Sequence, residues 1–367
     1  MQVGIRCMLM RGGTSKGAYF LADDLPADAA ARDRFLLAAL GSPDPRQIDG
    51  VGGAHPLTSK VAIISRSKEP RVDIDFLFAQ VAVDKALVDT TPNCGNILAG
   101  TAPFAIERGL IKASDPVTKV VVRTVNTGTI AELVIETPKG RVNYEGNARI
   151  DGVPGTHAPI PIHFLDAAGS VCGSLLPTGN VVDEVDGVKV TCIDNGMPVV
   201  VMQAKALGKT GYETPKELMA DADFRKRLEA IRLKVGPRMN LGDVASKVVP
   251  KMCLVAPPRA GGAICTRSFI PHEAHQAIGV FAAVSVGTAA VLPGSPAHEI
   301  AKLPPGKVKA LSVEHPTGEF TVRLELGGTE EKPVVERAGL LRTARLLFDG
   351  QIFVPESALS MPSRAAA

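Results

Sequence analysis

Apolar and polar residues alternate at period two over residues 72–78, where the order is Val72-Asp73-Ile74-Asp75-Phe76-Leu77-Phe78. The pattern recurs over 119–125, 131–135, 188–193 and 320–326. Each stretch predicts a half-buried β-strand. The Gly and Pro residues between them predict tight turns and a mostly antiparallel sheet.

Helical spacing is rarer. Residues 27–40 carry one apolar stripe and stop at Gly41 and Pro43. Thr214-Pro215-Lys216-Glu217 has the form of a capping box with Pro at the first helical position, and residues 222–235 follow, closed by Gly236. Two further segments are apolar nearly all round: one runs from Ile97 to Arg108-Gly109, the other spans 277–292 and stops at Pro293. A helix apolar on every side is surrounded by other structure. The second is too short for the ~20 residues of a bilayer span and reads as a buried helix.

Each of these apolar helices is preceded by a polar loop and follows a Ser-Lys-Val entry, at Ser59-Lys60-Val61 and Ser246-Lys247-Val248. This weak repeat predicts an α+β fold of two similar domains, each a curled, barrel-like sheet around one central buried helix. The expected domains are 1–180 and 181–339, with the crossover between 176 and 186 and residues 340–367 returning to the first domain.

Charge narrows the partners. Forty-one Lys and Arg against 38 Asp and Glu leave +3, and the basic residues are scattered. A phosphate-tracking surface needs a basic stripe, and base stacking needs aromatics, yet there is no Trp and only 3 Tyr. Nucleic acid is therefore not the expected partner. Arg6 interrupts the N-terminal apolar residues, so neither a signal peptide nor a membrane anchor is expected. Six cysteines without a Cys-x-x-Cys pair read as reduced thiols in a cytoplasm.

Two polar motifs carry candidate chemistry. Leu57-Thr58-Ser59-Lys60 enters the apolar run Val61-Ala62-Ile63-Ile64. A lysine at a strand mouth serves as a base only if its pKa falls from ~10.4 toward neutrality. Otherwise it is a surface lysine. Asn93-Cys94-Gly95-Asn96 opens the first apolar helix. Unpaired amides at that end favour a thiolate or a bound carboxylate. The bland reading is a thiol that packs.

Arg11-Gly12-Gly13-Thr14-Ser15-Lys16-Gly17 lacks phosphate-loop order, and strand-like residues 18–21 follow it. It reads as a backbone nest with two cations for a carboxylate, or as a plain glycine turn. His272 and His275 are carboxylate-binding candidates at the second helix, and with Cys265 they form a remote metal alternative. Arg267, Arg238, Arg342 and Arg345 are further carboxylate candidates.

With these residues in hand, the chain resembles the family that includes 2-methylaconitate cis-trans isomerase and 4-oxalomesaconate tautomerase. The resemblance rests on Met10-Arg11-Gly12-Gly13-Thr14-Ser15-Lys16-Gly17, Gly41-Ser42-Pro43-Asp44-Pro45-Arg46-Gln47-Ile48-Asp49-Gly50, Leu57-Thr58-Ser59-Lys60 and Asn93-Cys94-Gly95-Asn96. It continues through Leu176-Pro177-Thr178-Gly179-Asn180, Cys192-Ile193-Asp194-Asn195-Gly196-Met197-Pro198, Met239-Asn240-Leu241-Gly242-Asp243 and Arg267-Ser268-Phe269-Ile270-Pro271-His272. It closes on Leu341-Arg342-Thr343-Ala344-Arg345-Leu346-Leu347-Phe348-Asp349-Gly350.

The resemblance implies the diaminopimelate-epimerase-like fold and an isomerase needing no cofactor and no metal. Lys60 is then the catalytic base and Cys94 the matched thiol. Arg11, Thr14, Ser15, Lys16, Ser59, Asn93, Gly95, Asn96, Arg267, His272 and His275 are the substrate-binding candidates. Where epimerases of this fold place a second thiol, this chain has Glu273-Ala274-His275. A one-base proton shift is therefore expected. The implied substrate is a small unsaturated tricarboxylate with a ketone, of the oxalomesaconate type met in aromatic-compound catabolism, and a homo-oligomer is expected. The alternatives are a 2-methylaconitate-type isomerase and a tricarboxylate-binding protein without catalysis.

Overall fold

The computed structural model describes residues 1–270 and 272–359. The architecture is α+β, and the chain forms two compact units. One comprises Met1–Ile162 with the described residues from Arg342 onward, and the other is His163–Leu341. The chain thus leaves the first unit earlier than the crossover expected near 176–186.

In the first unit, β1 (Gln2–Gly12) and β2 (Ser15–Leu21) form an antiparallel hairpin. Gly13 makes the turn at φ 51°, a left-handed value that suits glycine. After helix α1 (Ala29–Leu40), β3 (Lys60–Arg66) pairs parallel to β2, and β4 (Ile74–Val81) pairs antiparallel to β3. The two-residue β5 (Val88–Asp89) precedes two short helices, α2 (Gly95–Leu98) and α3 (Thr101–Glu107). Strand β6 (Val117–Thr124) then joins β4 in parallel and β7 (Ile130–Glu136) pairs antiparallel with β6.

Successive side chains of a strand face opposite ways, and β2 uses both faces. Phe20 meets Phe35 of α1, whereas Tyr19 meets Phe104 of α3. All four rings are wholly buried, so helices cover this sheet on both sides.

Strand β8 (Ile160–Leu165) carries the chain into the second unit. There β9 (Asp183–Val185), β10 (Val188–Asp194) and β11 (Pro198–Gln203) form an antiparallel meander. Helices α4 (Pro215–Ala220) and α5 (Ala222–Arg238) precede β12 (Lys251–Ala256), which runs parallel to β11. Strand β13 (Ile264–Ile270) pairs antiparallel to β12, and the two-residue β14 (Glu273–Ala274) pairs with β13. After helix α6 (Val280–Val291), β15 (Val308–His315) joins β13 in parallel. Strands β16 (Gly318–Gly328) and β17 (Pro333–Arg342) extend the sheet antiparallel, and β18 (Ala344–Pro355) pairs with β1 of the first unit.

The pairing order of β1 to β7 therefore recurs in β10 to β16, short strand and buried helix included. This gives the weak sequence repeat a physical basis, with one correction. The strand matching β3 opens at Lys251, not at Lys247, whose ammonium instead donates to Leu241 O at 2.6 Å.

Three helix readings change in detail. The segment beginning at Ile97 is broken at Ala99–Gly100, where Gly100 passes the Tyr19 ring so closely that a Cβ would lie 2.5 Å from its hydroxyl. That hydroxyl donates to Ile97 O at 2.7 Å. Gly236 does not close α5. It lies inside the helix, where a Cβ would strike Val244 at 2.5 Å. Helix α6 begins at Val280, after the loop containing Ala277. Its buried hydroxyls are satisfied: Ser285 Oγ donates to Met197 O, and Asn195 Nδ2 donates to Thr288 Oγ1. Among the described residues no helix is long and apolar enough to cross a membrane.

Candidate active site

Lys60 is the first residue of β3 and only 9% exposed. Its position is set from three sides. Gly17 of β2 lies against it so tightly that a Cβ there would be 2.4 Å from the Lys60 carbonyl oxygen. Phe78 lies under the ammonium, with the ring centroid 5.0 Å from Nζ. Gln80, directly opposite on β4, accepts from Nζ at 2.7 Å. Gln80 Nε2 donates to Pro56 O and Ser59 O, both at 3.1 Å, which orients its oxygen toward Lys60. A lysine ammonium has three donors. Only the one to Gln80 is engaged among the described residues.

The loop before Lys60 is held by Gln47. Its Oε1 accepts from Ala54 N at 2.8 Å and lies 2.7 Å from Ser59 Oγ. The buried Ser59 hydroxyl is thus used to fix the strand mouth. Gly41 and Gly50 touch across the same loop, where a Cβ on Gly50 would lie 2.2 Å from Gly41 N.

Cys94 is half-buried and free, and its extended backbone leads into α2. Burial and then the neighbouring Cys94 thiol push the Tyr19 hydroxyl well above its usual pKa. Asn93 Nδ2 donates to Thr127 Oγ1. Gly95 is the first residue of α2. Asn96 links three parts of the unit: its Nδ2 donates to Thr14 Oγ1 at 2.9 Å, its Oδ1 accepts from Arg342 Nε at 3.2 Å, and its carbonyl abuts Gly12. Helix α2 packs on β1, β2 and β3, so the Cys94 loop and the Lys60 strand share one unit.

Arg11, Thr14, Ser15 and Lys16 line a cavity of about 300 Å³ in the same unit, together with Thr58, His157 and Arg345. Arg11 is fixed by Nη1, which donates to Gly13 O, Thr343 O and Thr343 Oγ1 at 2.9, 3.2 and 3.0 Å. His157 and Gln80 had no motif to announce them.

The remaining candidates, Arg267, His272 and His275, lie in the second unit, where His275 N donates to Ser268 O at 2.8 Å beside Arg267. Arg267 Nε donates to Glu213 O, and its Nη1 donates to Thr266 O at 2.8 Å and to Cys265 Sγ at 3.5 Å. His272 is exposed and faces Glu229 of α5, with 3.9 Å between Nδ1 and Oε2. His275 Nδ1 accepts from Ala277 N at 2.8 Å, which leaves its proton on Nε2. Burial first, and the Lys251 charge next, hold its pKa below the usual imidazole value. Among the described residues no three His, Cys, Asp or Glu side chains gather as a metal site.

The "PrpF protein" family model matches residues 2–355. A (4E)-oxalomesaconate Delta-isomerase from a Novosphingobium species is 62% identical, over 95% of this chain and 97% of that protein. A 4-oxalomesaconate tautomerase from Pseudomonas putida is 57% identical, over 99% of each. The crystal structure of a methylitaconate-delta-isomerase superposes with a TM-score of 0.83 at 34% identity, covering 100% of this chain and 99% of that one. Taken with the match of the model over almost its whole length, these likenesses mean that the chain belongs to the PrpF protein family.

Proposed function

We infer that this protein is an isomerase that moves a proton along the allylic system of a 4-oxalomesaconate-type tricarboxylate. The observation that carries the reading is Lys60: a nearly buried lysine held by a neutral amide, on the unit that also bears the cationic cavity. The names and identities of the two bacterial relatives support the substrate class.

The chemistry follows from the substrate. A C–H bond beside a C=C conjugated to a carbonyl is acidic because its electron pair spreads onto the carbonyl oxygen. The Lys60 amine, in its neutral form, takes that proton and becomes an ammonium, and a dienolate forms. The ammonium returns the proton at the far carbon of the allyl system, the double bond shifts, and the amine is restored. Gln80 aims Nζ and gains or loses no proton. Arg11 and Lys16 hold carboxylates and stabilise the developing oxyanion. Cys94 positions the substrate or assists the proton return.

We place the protein in the cytoplasm as a homo-oligomer. Its six free cysteines support the location, and light scattering on the purified protein tests the assembly.

Proton NMR of 4-oxalomesaconate in deuterated buffer tests the reading. Enzyme-dependent double-bond migration with deuterium at carbon is expected. No change with a folded sample refutes it, and turnover of methylitaconate or 2-methylaconitate instead moves the reading to a methylated substrate. The structural likeness to a methylitaconate isomerase makes that the second candidate. Binding without exchange marks a non-catalytic tricarboxylate binder.

A further inference from the structure

The cavity under the glycine turn holds more positive charge than the folded chain alone calls for. Arg11 of β1 and Arg345 of β18 are directly opposite each other in the antiparallel ladder. Like charges in that relation destabilise a sheet. Burial and then Arg345 lower the Arg11 pKa, so the two guanidiniums oppose each other. Neither Arg345 nor Lys16 has an ion-pair partner among the described residues.

His157 completes the group from a different part of the chain. Its backbone exchanges hydrogen bonds with Ala148, at 2.9 and 3.0 Å, which closes the intervening loop. Gly152 of that loop rests on Thr14, where a Cβ would be 3.1 Å from Cγ2. Burial, then Arg11 and Arg345, hold the His157 imidazole below its usual pKa, against the opposing pull of Glu145.

Two buried polar atoms on residues that line the cavity have no hydrogen-bond partner among the described residues: Arg11 Nη2 and Ser15 Oγ, the latter on a residue 2% exposed. Buried polar groups are nearly always paired. An unpaired guanidinium nitrogen beside a second guanidinium, an imidazole and a hydroxyl is a set of donors awaiting an anion.

We propose that this cavity binds one carboxylate of the substrate, and that Arg345 and His157 join Arg11 as the side chains that hold it. The proposal rests on the polycarboxylate reading above and adds two residues to it. Arg345 supplies a planar, permanently charged fork suited to a carboxylate. His157 supplies a ring N–H, and a bound carboxylate offsets the charge repulsion between Arg11 and Arg345. Both are positioning residues for binding, with no role in the proton shift.

The test compares the wild type with Arg345→Met, Arg345→Lys and His157→Gln. With 4-oxalomesaconate, Arg345→Met is expected to raise KM about ten- to hundredfold, as loss of a charged hydrogen bond does, with kcat within about threefold. Arg345→Lys should recover part of the KM, and His157→Gln should raise it by a smaller factor. Removing one of two opposed charges should hold or raise the melting temperature of Arg345→Met. If that variant does not fold, the other two carry the reading. Unchanged KM in the variants with an active wild type overturns the proposal and leaves the isomerase reading intact. A fall in kcat at constant KM also overturns it. If no substrate turns over, calorimetry with tricarballylate decides: binding lost in Arg345→Met supports the subsite, and equal binding in wild type and variant refutes it.

Discussion

Replacing Lys60 by methionine separates chemistry from folding. Methionine retains an unbranched apolar stem that still lies along Phe78, so the packing loss is small. The lost contact is the 2.7 Å hydrogen bond to Gln80. A typical net hydrogen bond contributes about 0.5–1.5 kcal/mol, and Gln80 is partly exposed, so water reaches its freed oxygen. Stability should therefore fall by about 1 kcal/mol, a shift of about 2–4 °C in melting temperature for domains of this size. The catalytic effect is larger. General acid–base catalysis contributes about 10²–10⁴, and Lys60 serves as both base and acid in the proposed cycle. A loss of at least about 10³ in kcat is thus expected, about 4 kcal/mol of barrier. Stopped-flow or NMR rates with 4-oxalomesaconate, read beside a thermal melt, give both numbers. A folded Lys60→Met variant with a rate within tenfold of wild type would refute the assignment of Lys60 as the proton carrier. Gln80→Leu supplies the graded control: it leaves the amine present but unaimed, and kcat should fall about tenfold.

Four further outcomes follow from the same geometry. Gly17→Ala forces a Cβ to 2.4 Å from the Lys60 carbonyl, so unfolding in urea should show a loss of about 1–3 kcal/mol together with reduced activity. Cys94 is half-buried, whereas the other five cysteines are buried and Cys7, Cys172, Cys192 and Cys253 are pushed up to about 12 by burial, so peptide mapping after brief alkylation should find Cys94 modified first. Cys94→Ser should lower kcat if the thiol assists proton return, and a wild-type rate assigns it to packing. The folded pKa values of His157 and His275 lie below the unfolded ~6.5, so the unfolded chain takes up these protons first; stability should fall as pH drops below that value and level off below the folded pKa values. Urea midpoints at several pH values, compared with His157→Gln, should show part of that slope removed.

Much of this molecule is written in local patterns. Period-two alternation marks β4, β6, β7 and β16, because burying one face of a strand requires it, whereas β10, expected to be half-buried, is buried on both faces and exposes only Lys189. The capping box at Thr214 forms as its spacing dictates, with Glu217 N donating to Thr214 Oγ1 at 3.2 Å. The all-round apolar composition of α6 announces a helix enclosed by sheet. Lys60 and Cys94 are legible for the same reason, since each stands at a polar-to-apolar boundary where a strand or helix begins.

What the sequence leaves open depends on contacts between distant residues, which have no period. Nothing near Gly100 tells that the Tyr19 ring will pass so close that a Cβ there would lie 2.5 Å from its hydroxyl. Gly236 looks like a helix stop until Val244 folds against it. Arg267 looks like a free anion-binding arginine, yet the backbone at Glu213 and Thr266 takes donors from its Nε and Nη1. Arg11, His157 and Arg345 stand far apart along the chain and share no motif. Only the ladder between β1 and β18, and the loop closed at Ala148, bring their charges to one cavity. Local sequence thus chooses the elements through backbone preference and side-chain period. The assembled sheet chooses which side chains meet, and charge accumulates where strand pairing sets one guanidinium opposite another.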